Sequence, residues 1–214
     1  MIIEFETRVG AEAILELADW YGKPAIRKIR VPKKYRNKAL DKILRTRRTR
    51  EEVELLHNAK LCRVDCPHVY FADPERSEII MEYVRGDLLK DVEEGRKGRE
   101  ELLARLGVFA ARLHSGEIIH GDLTTKNVIV SENGRLVIID FGLSFMSDRV
   151  EDRAEDMHLL KQALISSSSS PTVASRDFEL VLGGYATEAG AANTKLIRKQ
   201  ISEIERRGRY ARVD

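Results

Sequence analysis

Ile119-His120-Gly121-Asp122-Leu123-Thr124-Thr125-Lys126-Asn127, followed by Ile138-Ile139-Asp140-Phe141-Gly142, sets two aspartates and an asparagine at fixed intervals. Asn127 stands five residues after Asp122, and Asp140 stands thirteen after Asn127. Between them, Asn127-Val128-Ile129-Val130 and Arg135-Leu136-Val137-Ile138-Ile139 read as two short strands. Asn133-Gly134 lies between these runs and is a hairpin signal, because both residues accept the positive φ that a tight turn needs. The spacing therefore predicts a loop, a hairpin and a second loop. Asp and Asn oxygens are suitable ligands for a hard cation such as Mg2+, which gives Asn127 and Asp140 a metal-holding chemistry. His120 and Phe141 read as core residues beneath the loops.

Upstream of this stretch the chain is rich in strand signals. Ile2-Ile3-Glu4-Phe5 reads as a strand, Gly10 as a turn, and Ala13–Leu17 as a strand or short helix. Tyr21-Gly22-Lys23-Pro24 reads as a turn and Ala25-Ile26-Arg27-Lys28-Ile29-Arg30 as the next strand. Apolar residues at helical spacing (Leu40, Ile43, Leu44, Val53, Leu56) predict a helix from about Lys38 to Lys60. Val69–Ala72 and Glu78–Val84 form a strand pair around Asp73-Pro74, the second ended by Gly86. Downstream, Leu102, Leu103, Leu106, Phe109, Ala110 and Leu113 form the apolar stripe of a helix. Further helices are expected at about Asp152–Ile165 and toward the C-terminus, and Ser166–Ser170 reads as a low-complexity loop. The pattern is α+β, with a β-rich unit over residues 1–84 and a helical unit over residues 85–214 that ends in a basic tail.

Composition narrows the class. Hydrophobic residues make up 43% of the 214 residues and charged residues 34%, which suits a packed globular protein. No apolar run approaches the roughly 20 residues of a membrane-spanning helix, and the first residues lack the pattern of a signal peptide. Cys62 and Cys66 do not have zinc or redox spacing, and they read as reduced thiols of a cytoplasmic protein. The net charge of +2 is unevenly spread: residues 27–50 hold twelve basic side chains and one acid, Asp41. A second cluster is Arg206, Arg207, Arg209 and Arg212. Such asymmetry points either to a polyanionic partner or to a solvated helix face.

The two quoted segments resemble the catalytic loop and metal loop of protein kinases, H-x-D…N and D-F-G, at that family's spacing. The resemblance implies a bilobal kinase-like fold that uses ATP and Mg2+. Phosphoryl transfer asks for positioning and charge neutralisation rather than covalent chemistry from the protein. Asp122 is then the base, or positioner, for the incoming hydroxyl or water, and Asn127 and Asp140 are the metal ligands. Lys28 resembles the strand lysine that contacts the α/β-phosphates. Its partner is sought among Glu51, Glu52 and Glu54, with Glu52 favoured. Met81 and the Glu82-Tyr83-Val84 segment resemble the hinge, with backbone groups of Glu82 and Val84 facing the adenine edge; a plain strand end is the alternative. Gly10-Ala11-Glu12-Ala13 is what remains of a glycine-rich phosphate loop.

The departures from that pattern are informative. Gly121 replaces the usual arginine, Thr124 replaces the catalytic-loop lysine, and no A-P-E segment follows Gly142. Together with Lys28–Arg36, Leu40-Asp41, Arg48-Thr49-Arg50-Glu51-Glu52, Ile80–Tyr83 and Glu151–Asp156, they resemble the small atypical kinase/ATPase subunit of the KEOPS (EKC) complex. That family's role implies ATP hydrolysis and serine phosphorylation in support of threonylcarbamoyl transfer to the tRNA adenosine next to the anticodon. Its implied partners are a TsaD/Kae-type threonylcarbamoyltransferase, a small bridging subunit and, through the complex, tRNA. On this reading Lys33, Lys34, Arg36, Arg47, Arg48, Arg206, Arg207 and Arg209 are candidates for contact with tRNA phosphates or a partner. The rivals are a small-molecule phosphotransferase of the aminoglycoside or choline kinase type, for which 74 residues after Asp140 are few, a RIO-type kinase, and a catalytically weak scaffold that would not need Lys28, Asp122, Asn127 and Asp140.

Overall fold

The computed structural model describes residues 7–10 and 12–210. β1 (Arg8–Val9), β2 (Ala13–Trp20), β3 (Lys23–Arg30), β4 (Val69–Asp73) and β5 (Glu78–Glu82) form an antiparallel sheet in the order β1-β2-β3-β5-β4. The strand expected over Ile2–Phe5 lies outside the described residues. Ala13–Leu17 is strand, and β2 continues to Trp20. The turn after it is shorter than Tyr21–Pro24: Trp20 pairs directly with Lys23, so Lys23 and Pro24 open β3. Pro24 can sit there because it is near the strand end, where one missing donor costs little. Lys28 falls in the middle of the sheet, opposite Leu15 on one side and Ile79 on the other.

α1 (Lys38–Leu61) starts where Asn37 Oδ1 accepts hydrogen bonds from the amides of Ala39 and Leu40, at 2.9 and 3.3 Å. Its inner face carries Thr49, Glu52, Leu55, Leu56 and Ala59. Gly86 does not end β5: that strand stops at Glu82, and Gly86 instead opens β6 (Gly86–Leu88). α2 (Arg99–Ser115) buries Leu103, Leu106, Phe109, Ala110 and Leu113, the stripe expected from the sequence, while Leu102 is partly buried. β7 (Ile118–Ile119) precedes the first quoted loop. β8 (Val128–Ser131) and β9 (Leu136–Ile138) form the expected hairpin, extended by β6 in the order β6-β8-β9. β10 (Phe145–Met146) pairs back to β7.

Three helices close the chain: α3 (Val150–Ser167), α4 (Pro171–Ala189) and α5 (Ala191–Tyr210). The serine run is a loop only over Ser168–Ser170, a short bend between two helices. Ser166 and Ser167 finish α3, and Ser170 caps α4 by accepting the Val173 amide, with Pro171 in the first turn. Serine at the cap and proline just inside it form a helix start. Ser169 is fixed as well, donating from N and Oγ to Glu94 at 2.7 and 2.5 Å. α2 and α4 cross closely because Gly107 and Gly184 face each other's backbones. A Cβ on Gly107 would lie 1.8 Å from Val181 O, and one on Gly184 1.8 Å from Ala104 O. Arg99 and Asp177 make a buried ion pair across the same helices at 2.6 Å. Leu123 and Phe141, from the two quoted loops, lie in the same core as these helices. Among the described residues, no helix is long and apolar enough to cross a membrane.

Candidate active site

The site is built where β3, α1 and the loop after β9 meet. Lys28 Nζ donates to Glu52 Oε1 at 2.6 Å and to Asp140 Oδ1 at 2.7 Å. Glu52 is the helix acid that meets the lysine, as the sequence reading favoured over Glu51 and Glu54. Its side chain is 1% exposed and that of Asp140 53%, so Lys28 bridges the interior and the cleft. Burial works against the Lys28 ammonium, but the charges of Glu52 and Asp140 outweigh it and hold its pKa above the usual lysine value. Burial pushes the Asp140 carboxyl up, yet the Lys28 charge wins and holds it below the usual range. Asp140 sits at φ +63°, a conformation that a non-glycine residue holds only where its surroundings impose it.

The first loop hangs from Asp156 on α3. This buried carboxylate accepts the His120 amide at 2.6 Å and the Gly121 amide at 2.8 Å, and lies 3.4 Å from His114 Nε2. Gly121 has φ +77°, and a Cβ there would lie 2.4 Å from Leu143 O. An arginine at this position would carry the same Cβ, so its replacement by glycine has a steric cause as well. The His120 ring is fully buried against Phe141 and lies 3.1 Å from Ile139 O through Nε2. Its Nδ1 accepts the Asp122 amide at 3.3 Å. A neutral imidazole with its proton on Nε2 satisfies both partners, and desolvation holds its pKa below the ordinary value. Asn127, in a short 3-10 turn before β8 rather than in the strand, donates Nδ2 to Asp122 O at 2.9 Å and to Asp122 Oδ2 at 2.8 Å. With its amide nitrogen committed to Asp122, Asn127 Oδ1 is left to accept or to ligate.

The remaining candidates are placed as follows. Met81 is buried at the inner end of β5, and Glu82 ends that strand. The Glu82 amide donates to His68 O at 2.8 Å and the Tyr83 amide to Pro24 O at 3.3 Å, and Val84 follows in the link from β5 to β6. Gly10 turns back through its amide to Ala13 O at 2.9 Å. Ala11 and Arg212 lie outside the described residues, and Arg209 lies in the last turn of α5. Several basic candidates have acid partners in the chain: Arg48 with Glu12 at 2.7 Å, Arg47 with Glu51 at 3.5 Å, Arg36 with Asp41 at 4.0 Å and Arg207 with Glu151 at 3.0 Å. Lys34 and Arg206 are exposed, and Lys33 is half-buried.

A protein kinase domain matches residues 22–161. The KEOPS complex subunit Bud32 of Pyrococcus abyssi is 39% identical over 209 residues, which cover 94% of each chain. The chain belongs to the Bud32 family of protein kinase domains. A probable serine/threonine-protein kinase BUD32 homolog of Archaeoglobus fulgidus is 38% identical, over 86% of this chain and 87% of that protein. A probable bifunctional tRNA threonylcarbamoyladenosine biosynthesis protein of Methanobrevibacter smithii is 42% identical over 94% of this chain. The chain spans only 36% of that relative's length. Among solved structures, the ADP/Mg2+-phosphoaspartate complex of the Rio2 kinase from Chaetomium thermophilum superposes with a TM-score of 0.64 at 18% identity, over 97% of this chain and 71% of that one, a likeness of fold.

Within this Bud32 fold, two site residues escaped the sequence reading. Asp156 belongs to a run whose sequence was noted, but nothing local says that its carboxylate turns back to a loop 35 residues earlier. Arg30, one of twelve basic residues over 27–50, is buried and donates Nη2 to Glu52 Oε2 at 2.5 Å. Among the described residues, no group of three or more His, Cys, Asp or Glu forms a metal cage. An Asp and an Asn oxygen instead suit Mg2+ that brings most of its ligands as phosphate and water.

Proposed function

We propose that this protein is a Mg-ATP-dependent kinase and ATPase that acts as the Bud32-type subunit of a KEOPS assembly and supports threonylcarbamoyl modification of tRNA adenosine beside the anticodon. The observation that carries this reading is the buried Lys28–Glu52 pair bonded to Asp140, beside the Asp122–Asn127 pair. The likeness to KEOPS complex subunits favours it over a small-molecule phosphotransferase. On this reading the β-rich lobe runs to residue 84 and the helical lobe starts at residue 85, with the Glu82–Val84 segment as the hinge.

On this reading the residues take the following roles. Backbone groups of Glu82 and Val84 take the adenine edge, with Met81 behind it, and Gly10 and Ala11 cover the phosphates. Lys28, held by Glu52, turns from Asp140 to the α/β-phosphates. Asn127 Oδ1 and the Asp140 carboxylate are the oxygens that would hold Mg2+, which when bound neutralises phosphate charge. Asp122, oriented by Asn127, positions the attacking serine hydroxyl or water and takes its proton. The partners are a TsaD/Kae-type transferase, a small bridging subunit and tRNA, in the cytoplasm.

The test is ATP hydrolysis by the purified protein, with and without a TsaD/Kae-type partner and tRNA. Turnover is expected to rise with the partner and to vanish in an Asp122→Ala, Asp140→Ala variant. Partner-indifferent turnover would make it a free-standing kinase, and no turnover under any condition would make it a scaffold.

A further inference from the structure

Glu52 is held by two cations. Lys28 takes Oε1 and Arg30 takes Oε2, at 2.6 and 2.5 Å. Both cations are nearly buried, with side chains 9% and 4% exposed. Arg30 Nη1 also lies 3.6 Å from Glu12 Oε2, and Glu12 is bound to Arg48 at 2.7 Å. Alternating charges therefore run from Arg48 through Glu12, Arg30, Glu52 and Lys28 to Asp140. They link the turn at Gly10, the sheet, α1 and the metal loop.

Two observations set Arg30 apart from an ordinary buried ion pair. Its Nε is buried and has no hydrogen-bond partner among the described residues, a state that most native cores avoid. Its guanidinium also reaches the metal loop: a Cβ on Gly142 would lie 3.2 Å from Arg30 Nη2, 3.4 Å from Lys28 Nζ and 3.1 Å from Asp140 Oδ1. The glycine leaves room for both cations beside Asp140.

We propose that Arg30 is a positioning residue of the phosphotransfer site, the second cation that holds Glu52 so that Lys28 can leave Asp140 for the nucleotide phosphates. The inference rests on the kinase reading above. Lys28 must give up Asp140 when a nucleotide arrives. A buried glutamate with a single cation would then draw that amine fully onto itself. Arg30 occupies the second oxygen and fixes the carboxylate, leaving Lys28 with one bond to α1 and its other N–H groups for phosphate. Through Glu12 the same guanidinium also steadies the turn that, with its single glycine, stands in for a phosphate loop.

The test compares wild type, Arg30→Met, Arg30→Lys, Glu52→Gln and the Arg30→Met, Glu52→Gln double variant. KM for Mg-ATP should rise on the order of tenfold in Arg30→Met while kcat changes less than about threefold, the signature of lost nucleotide binding. Arg30→Lys should recover most of that loss, and the effect of Arg30→Met should disappear in the Glu52→Gln background. Urea midpoints of the same set, taken without nucleotide, should be non-additive for the pair. Additive midpoints would remove the Arg30–Glu52 coupling while leaving the kinase reading intact. An unchanged KM in a folded Arg30→Met, or in Arg30→Gln should the methionine variant not fold, would overturn the positioning role. Absence of Mg-ATP turnover in the wild type, with the pair still coupled in urea, would instead overturn the kinase reading and the role that depends on it.

Discussion

His120 holds the catalytic loop only as a neutral ring, because its Nδ1 must accept the Asp122 amide. Burial depresses its pKa. The unfolded chain therefore binds the proton first as pH falls below the ordinary imidazole value of about 6.5, and folding stability falls with it, by up to about 1.4 kcal/mol per pH unit. The loss runs from that value down to the folded-state pKa and then levels off. Urea unfolding of wild type against His120→Gln should show this slope in the difference between the two, and parallel curves would mean that His120 is not held neutral. Asp156 makes a second prediction. Asn in its place turns an amide nitrogen toward one of two backbone donors, His120 or Gly121. Asp156→Asn should cost about 2–3 kcal/mol in denaturant unfolding, and a cost near zero would mean that those amides find other acceptors. Asp122, Asn127 and Asp140 were singled out by their spacing and Lys28 by its place in a strand, and the structure pairs Lys28 with Asp140 and Asn127 with Asp122. Arg30 and Asp156 were not legible, since their partners are remote in sequence and their type is common nearby.

At the scale of elements, helices were the most readable feature, because an apolar stripe is a local signal. α1 was expected over Lys38–Lys60 and ends one residue later, but of the apolar residues that predicted it Leu40 and Ile43 are exposed and only Leu56 is buried. What was hidden is how the elements meet. The serine run reads as a loop by composition, yet Ser170 followed by Pro171 is a helix start, and two successive helices share the run. Gly86 reads as a strand end, while the chain uses it to begin pairing with β8. The crossing of α2 and α4 supplies a sharp contrast between neighbours. Gly184 faces Ala104 at a distance that leaves no room for a methyl group, whereas a Cβ on the adjacent Gly183 would meet nothing within 4 Å. Gly184→Ala should destabilise by about 1–3 kcal/mol through overpacking. Gly183→Ala should stabilise by about 0.4–1 kcal/mol, since alanine loses less backbone entropy in a helix. Thermal unfolding of the two variants reads opposite signs if the helices pack as described, and equal shifts would refute that crossing.

For the whole molecule, the charge asymmetry resolves into two populations that composition could not separate. Arg30, Arg45 and Arg48 carry charge already spent on Glu52, Asp41 and Glu12. Lys34 and Lys38 stand exposed just ahead of α1 and at its first residue. Contact between a protein cation and a phosphate releases counterions, so its signature is the dependence of affinity on salt rather than affinity itself. Each lost phosphate contact should flatten the slope of log affinity against log salt by about 1. If the proposed tRNA role holds, a Lys34→Gln, Lys38→Gln variant should bind tRNA, with a TsaD/Kae-type transferase present, with a slope flatter by about 2. Arg48→Gln should leave the slope where it was, because its charge is paired with Glu12. If Arg48→Gln flattens the slope and the lysine pair does not, the cations meet tRNA from the cleft side of α1. If none of them moves it, the basic segment seats a protein partner, and the affinity of the isolated chain for that partner is where the lysine variants should then register.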